Sequence, residues 1–173
     1  MDQREVDAFW EDARVRASLN PAGAYLGRIV EETLQPPAWS FGADPVEADR
    51  MVELVLAGTK TAMTSVRSEY DADGADLPEP GDLAIVLDGQ ERPRVLIRIT
   101  DVRVVRFADV DAEHARAEGE GDLSVEQWRQ RHLGMLAAAA PAGHVDEQMQ
   151  VVLERFRVLV GHGREAQASV PTG

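Results

Sequence analysis

Leu83-Ala84-Ile85-Val86-Leu87 and, after the turn at Asp88-Gly89, Arg94-Val95-Leu96-Ile97-Arg98-Ile99-Thr100-Asp101-Val102-Arg103-Val104 are the stretches that decide the fold. The first is apolar at every position, as expected of a central strand covered on both faces. In the second, Val95, Ile97 and Ile99 share one face, but beyond Asp101 the apolar phase moves to Val102 and Val104. A phase change inside a strand predicts a β-bulge, the device that bends strands around a small barrel. Pro80-Gly81-Asp82, just before the first strand, is turn chemistry.

Working outward, helices flank these strands. Upstream, Asp44-Pro45 is a helix start, with Asp as N-cap and Pro in the first turn. Ala48, Met51, Val52, Val55 and Leu56 form its apolar stripe, and Gly58 is a natural stop. Thr59 to Ser65 reads as a strand, and Asp71 to Pro80 as an acidic loop. Val6, Phe9, Trp10, Ala13 and Ala17 follow helical spacing near the N-terminus, and Asn20-Pro21-Ala22-Gly23 ends that helix. Downstream, Asp111–Glu118 reads as a short helix broken by Gly119 and Gly121. Ser124 with Gln127 forms a capping box for a longer helix carrying Val125, Trp128, His132 and Leu136. Val151–Val160 is a last strand, and Gly161–Gly173 a loose tail. The sum is an α+β chain with a small curved sheet or barrel and helices packed outside it.

The 173 residues fit one compact domain, and 44% hydrophobic with 28% charged residues is ordinary for a globular protein. The charge is less ordinary. Asp plus Glu total 31 against 18 Lys plus Arg, a net charge of −13. Lys60 is the sole lysine; every other cation of that set is arginine. With no cysteine, the chain has no disulfide framework, thiolate nucleophile or thiolate metal site. Its Met-Asp-Gln-Arg-Glu start lacks the basic and apolar regions of a signal peptide, and the uncharged stretch Leu133–Val145, interrupted by Pro141, is too short to span a membrane. A cytoplasmic location and no membrane partner are therefore expected. An acidic chain also argues against gripping long duplex DNA, and favours a confined pocket for a few phosphates at most.

Walker, His-Glu-x-x-His, Gly-x-Ser-x-Gly and EF-hand motifs are absent, and His114, His132, His144 and His162 lack metal-ligand spacing. Lys60 follows a helix stop and is flanked by Thr59, Thr61, Thr64 and Ser65. A lysine there can stabilise a developing oxyanion or phosphorane, or be an ordinary surface lysine. Glu118 ends a helix against glycines that would let a ligand approach, and can act as a general base or accept from a base edge. The alternative is a solvated acidic turn. Glu120 and Asp122 offer carboxylates to a divalent cation, though no motif indicates one, so no cofactor is expected. Trp39, Tyr70 and Trp128 can stack a base or pack a core. His132 shares a helix face with Trp128, the ordinary setting of a hydrogen-bonded core histidine.

Trp39-x-Phe41-Gly42, Leu56-Ala57-Gly58-Thr59-Lys60-Thr61-Ala62-Met63-Thr64-Ser65, Gly81-Asp82 and Leu87-Asp88-Gly89 resemble, in order, the ASCH family of the PUA-like superfamily. So do Glu113-His114-Ala115 through Glu118-Gly119-Glu120-Gly121-Asp122, Trp128-Arg129, His132 and Glu154-Arg155-Phe156. The resemblance implies a small PUA-like β-barrel surrounded by helices over 36–160; the extra N-terminal helix in 1–35 and the flexible tail at 161–173 fall outside it. It also implies a cleft where the Gly-x-Lys-Thr segment faces the Glu-bearing helix.

Members of this family are linked to RNA or modified nucleosides. Some small bacterial members are amidohydrolases that deacylate N4-acetylcytidine with a Lys, a Thr and a Glu. Longer ones include ribonucleases acting on single-stranded RNA that need the same lysine, and others are binding modules. Carried onto this chain, the lysine falls on Lys60 and the glutamate on Glu118. The threonine falls on Met63, which cannot be a nucleophile. Thr64 is adjacent but faces the other side of an extended strand, whereas Thr61 shares the face of Met63. The leading expectation is therefore a ribonuclease on single-stranded RNA, with Lys60, Glu118, Thr61 and Thr64 catalytic. Trp39, Phe41, Ser65, Arg67, Tyr70, Trp128, Arg129 and His132 form the expected substrate-binding set. An amidohydrolase of N4-acylated nucleosides and a non-catalytic RNA- or nucleotide-binding module are the alternatives.

Overall fold

The computed structural model describes residues 1–19, 34–42, 44–139 and 148–162. Strands hydrogen-bond in the order β1-β3-β4-β5-β2, where β1 is Ala38–Ser40, β2 Ala62–Val66, β3 Leu83–Leu87, β4 Pro93–Arg106 and β5 Gln150–Gly161. Helices α1 (Gln3–Arg16), α2 (Pro45–Leu56), α3 (Arg67–Asp73), α4 (Ala112–Glu118) and α5 (Val125–Ala139) make the fold α+β. No helix among the described residues is long and apolar enough to cross a membrane. The chain divides into two compact units, Met1–Gly58 with Asp82–Arg98 and Val158–Gly173, and Thr59–Gly81 with Ile99–Arg157. Strands β4 and β5 run through both.

In the first unit, Asp44 Oδ1 accepts from the backbone N–H groups of Val46 and Glu47, each at 2.9 Å, so α2 begins where its Asp-Pro signal predicts. Val6, Phe9, Trp10 and Ala13 of α1 bury against Ile85, Leu87, Leu96 and Val160. Strand β3 lies between β1, which it pairs in parallel, and β4, which it pairs antiparallel. Ile85 and Leu87 bury against α1 on one face and Ala84 and Val86 are buried on the other, and this cover of both faces explains the uninterrupted apolar run of β3. A register shift falls between Val86 and Leu87, which pair with Val95 and Pro93. Pairing to β3 reaches only to Arg98, and beyond Ile99 the strand turns half-buried or exposed, with Val104 at 39% exposure. The apolar phase changes in the same stretch where burial is lost.

In the second unit, β2 and β5 pair antiparallel from Ala62 with Arg155 to Val66 with Val151. Val66, Phe107, Val110, Ala115, Trp128, Leu136, Val151 and Leu153 form its core. The acidic loop begins as helix: α3 runs through Asp73 and closes on Gly74 in the left-handed region, φ 62°. Asp111 caps α4 by accepting from the His114 N–H at 2.8 Å. Ser124 Oγ caps α5 through the Gln127 N–H at 3.1 Å. The return half of that capping box is not made, because Gln127 Oε1 accepts from the Asp122 N–H while Asp122 takes the Ser124 N–H. The expected helix end at Asn20-Pro21-Ala22-Gly23, His144 and the tail beyond His162 lie outside the described residues.

Candidate active site

Helix α4 ends at Glu118, and the turn after it carries two glycines in the left-handed region, Gly119 at φ 72° and Gly121 at φ 63°. This turn brings Glu118 and Glu120 to the same amine. Lys60 Nζ donates to Glu120 Oε1 at 2.8 Å and to the Glu118 carbonyl at 3.4 Å, and lies 3.6 Å from Glu118 Oε2. All three side chains are buried, at 3%, 2% and 6% exposure for Lys60, Glu118 and Glu120. A buried charge is tolerated only when paired and hydrogen-bonded, so the cluster is mutually dependent.

Glu118 is its hub. Its Oε1 accepts from Thr64 Oγ1 at 2.6 Å and from Trp128 Nε1 at 2.9 Å, and lies 3.2 Å from His114 Nε2. Its Oε2 lies 3.3 Å from His132 Nε2. Burial pushes the Glu118 carboxyl up, but its bonds to His114 and His132 and the charge of Lys60 outweigh burial and hold it well below the usual carboxylate range. It is therefore a firmly held anion and, at rest, a weak proton acceptor.

Proton positions follow from the chemistry of the partners. Thr64 has one hydroxyl proton and gives it to the carboxylate, so at 2.9 Å His114 Nε2–H donates to Thr64 Oγ1. His114 Nδ1 is buried without a hydrogen-bond partner among the described residues. His132 Nδ1–H donates to the Trp128 carbonyl at 2.8 Å. One lone pair of Thr64 Oγ1 remains for another partner.

The expected catalytic residues thus divide. Lys60, Thr64 and Glu118 share one hydrogen-bonded cluster. The face of β2 that carries Ala62, Thr64 and Val66 is the one that meets α4 and α5, and Met63 lies on the opposite face. Thr61, the expected substitute hydroxyl, uses its N–H and Oγ1 on the Ala117 carbonyl, at 2.7 and 3.4 Å. The glycines after Glu118 also have a different role from the one expected. A Cβ on Gly119 would lie 2.4 Å from the Thr59 carbonyl oxygen, so this glycine admits the chain's own backbone. Gly119→Ala is expected to cost about 1–3 kcal/mol through left-handed strain and this clash, read as a lower denaturant midpoint.

The expected substrate-binding residues are more dispersed. Trp128 is wholly buried, stacked on His132 at 4.2 Å between ring centroids, and presents no open face to a base. His132 is held between Trp128 and Glu118. Arg129 donates to the Ala108 carbonyl, and Arg67 pairs with Asp71 one helical turn away. Ser65 and Tyr70 share a hydrogen bond of 3.0 Å; burial, with Glu154 and Glu69 adding to it, raises the Tyr70 phenol despite that bond. Trp39 and Phe41 belong to the first unit, where they form an edge-to-face pair.

Glu120 and Asp122 are engaged by Lys60 and Ser124, and no group of three or more His, Asp or Glu among the described residues is placed to hold a metal. A cleft of about 540 Å³ in the second unit is lined by Thr61, Thr100, Asp101, Arg103, Glu113, Arg155 and Phe156, a size within the range of small-ligand sites. Sequence reasoning left His114 and Arg131 out of the site. The i, i+4 spacing of His114 and Glu118 on one helix face was the signal for the first; Arg131, which reaches Glu120 at 3.7 Å, had none.

Solved structures share this arrangement of elements. An ASCH domain from Lactobacillus crispatus JV V101 is 28% identical with a TM-score of 0.74, the match covering 92% of this chain and 96% of that one. A protein of Enterococcus faecalis V583 is 27% identical with a TM-score of 0.79, covering 97% of this chain and 95% of that one. Among curated proteins, none matches this chain. The ASCH domain model matches residues 37–160, and with it the chain belongs to the ASCH domain family, a PUA-like fold.

Proposed function

We propose that this protein is an amidohydrolase acting on a small acylated nucleoside, with Lys60, Thr64 and Glu118 as its machinery. The observation that carries this reading is the Thr64 hydroxyl, 2.6 Å from Glu118 and 2.9 Å from His114 inside the lysine cluster. The sequence favours a ribonuclease because Met63 occupies the family's threonine position. Thr64 restores a hydroxyl from the neighbouring position. The charge balance points the same way. A phosphorane needs excess positive charge around it, whereas Lys60 is flanked by two carboxylates, and a neutral amide meets no such conflict.

In this reading the free lone pair of Thr64 Oγ1 attacks the amide carbonyl carbon while the hydroxyl proton moves to Glu118. Lys60 turns its ammonium to the oxyanion. That movement also removes one of the charges holding the Glu118 carboxyl low, so the proton acceptor strengthens as the oxyanion forms. The C–N bond breaks as Glu118 passes the proton to the leaving amine. Water then hydrolyses the Thr64 ester and releases the carboxylic acid.

Incubation with N4-acetylcytidine, followed by chromatography, is expected to release cytidine and acetate, while labelled single-stranded RNA stays intact. Absence of cytidine at high protein concentration overturns the amide reading. RNA cleavage that disappears in Lys60→Met would put the ribonuclease in its place.

A further inference from the structure

The glutamate that directly holds Lys60 is not the one the family resemblance pairs with it. Glu118 is saturated by Thr64, Trp128 and the two histidines, and its carboxylate stays 3.6 Å from Nζ, beyond hydrogen-bond reach. Glu120 Oε1 is the carboxylate oxygen at 2.8 Å, and its other oxygen faces Arg131 Nε at 3.7 Å. We propose that Glu120 is the positioning residue of Lys60: it fixes the buried ammonium beside Glu118 and exchanges it for Arg131 when Lys60 swings to a ligand.

Three features support this. A buried ammonium that must move needs a partner able to stabilise it at rest and a second cation able to take over that partner afterwards; Arg131, at 28% exposure, is placed to do so. The left-handed glycines on either side of Glu120 set its side chain apart from the α4 helix, so it is positioned by the turn and not by helical periodicity. Gly119 also seats this turn on the backbone of Thr59 and Lys60, where a Cβ would lie 3.0 Å from the Lys60 nitrogen. The reach from Glu120 to Nζ is therefore set by direct backbone contact.

The inference rests on the proposed role of Lys60, but its test does not need substrate. Because Lys60 is the only lysine, an amine-acylating reagent has two targets in the whole chain, Nζ of Lys60 and the α-amine of Met1. Labelling of Lys60 with an N-hydroxysuccinimide acetate ester, measured by peptide mass spectrometry and normalised to Met1, is expected to rise about tenfold in Glu120→Gln. Glu120→Asp, which keeps the charge one methylene further back, is expected to fall between the two. Circular dichroism reports whether each variant is folded. If Glu120→Gln does not fold, the Glu120→Asp rate decides alone. Wild-type labelling rates in a folded variant overturn the proposal. Where N4-acetylcytidine is turned over, Glu120→Gln is further expected to lower kcat at least tenfold with KM changed less than twofold. An equal rise in KM overturns the positioning role. Failure of the activity assay alone removes the proposed function and leaves the labelling result standing.

Discussion

Lys60→Met is expected to lower deacylation of N4-acetylcytidine by about 10²–10³-fold, the usual loss when a preorganised group facing a developing oxyanion is removed. Methionine keeps the length of the chain and its apolar contacts, so the change isolates the ammonium. The same substitution leaves Glu118 and Glu120 buried without the cation between them, which costs about 3–5 kcal/mol for a broken buried pair. Activity is therefore compared at a temperature where circular dichroism shows the variant folded. Lys60→Arg is the second arm. It retains the charge but not the compact amine, and is expected to recover stability more fully than turnover. Turnover of folded Lys60→Met within threefold of wild type would remove Lys60 from the mechanism.

Glu118→Gln is expected to be the most destabilising of the conservative changes in the second unit, by about 3–5 kcal/mol at neutral pH. Glutamine keeps the volume but brings an NH₂ group toward Thr64, Trp128 Nε1–H or the histidines, all of which now face a carboxylate. The loss is pH-dependent with a definite sign. Burial raises the Glu118 carboxyl, while the histidine bonds and Lys60 lower it further, so its folded value lies below its unfolded one. A group lowered in this way contributes stability that is complete above the ordinary carboxylate range, about pH 4–5, and drains away as pH falls through the folded value. The difference in Tm between wild type and Glu118→Gln should be widest at neutral pH and close as acid is added. Because 31 acidic residues titrate over the same region, the difference curve, and not either melt alone, carries the result. A difference that stays constant down to pH 3 would mean that the charge of Glu118 is not what stabilises the cluster.

Much of the architecture was legible because it is written in local chemistry. The Asp-Pro start of α2, the Asp111 cap of α4 and the apolar run of β3 each depend on a few neighbouring residues, and the structure has each where the residues place it. The register shift at Val86 and Leu87 had no local signal, because the apolar run of β3 is unbroken there and gives no change of phase to read. The start of the acidic loop was read as coil, yet Arg67–Asp73 is helical, with Arg67 and Asp71 paired one turn apart.

For the site, the sequence alone determined the alternation of β2, which places Met63 and Thr64 on opposite faces, and marked Lys60 and Glu118 through the family resemblance. It also made Lys60 the single lysine among the cations. Only the tertiary structure decided which face of β2 meets α4, and so that Thr64, not Thr61, joins Glu118. It alone paired Lys60 with Glu120, and it turned Trp128 and His132 from candidate ligand contacts into partners of a buried carboxylate. The physical reason is one of range. Alternation and caps are set within a few residues of chain, whereas the direction of a buried hydrogen bond is set by which segments must neutralise a charge that folding has removed from water.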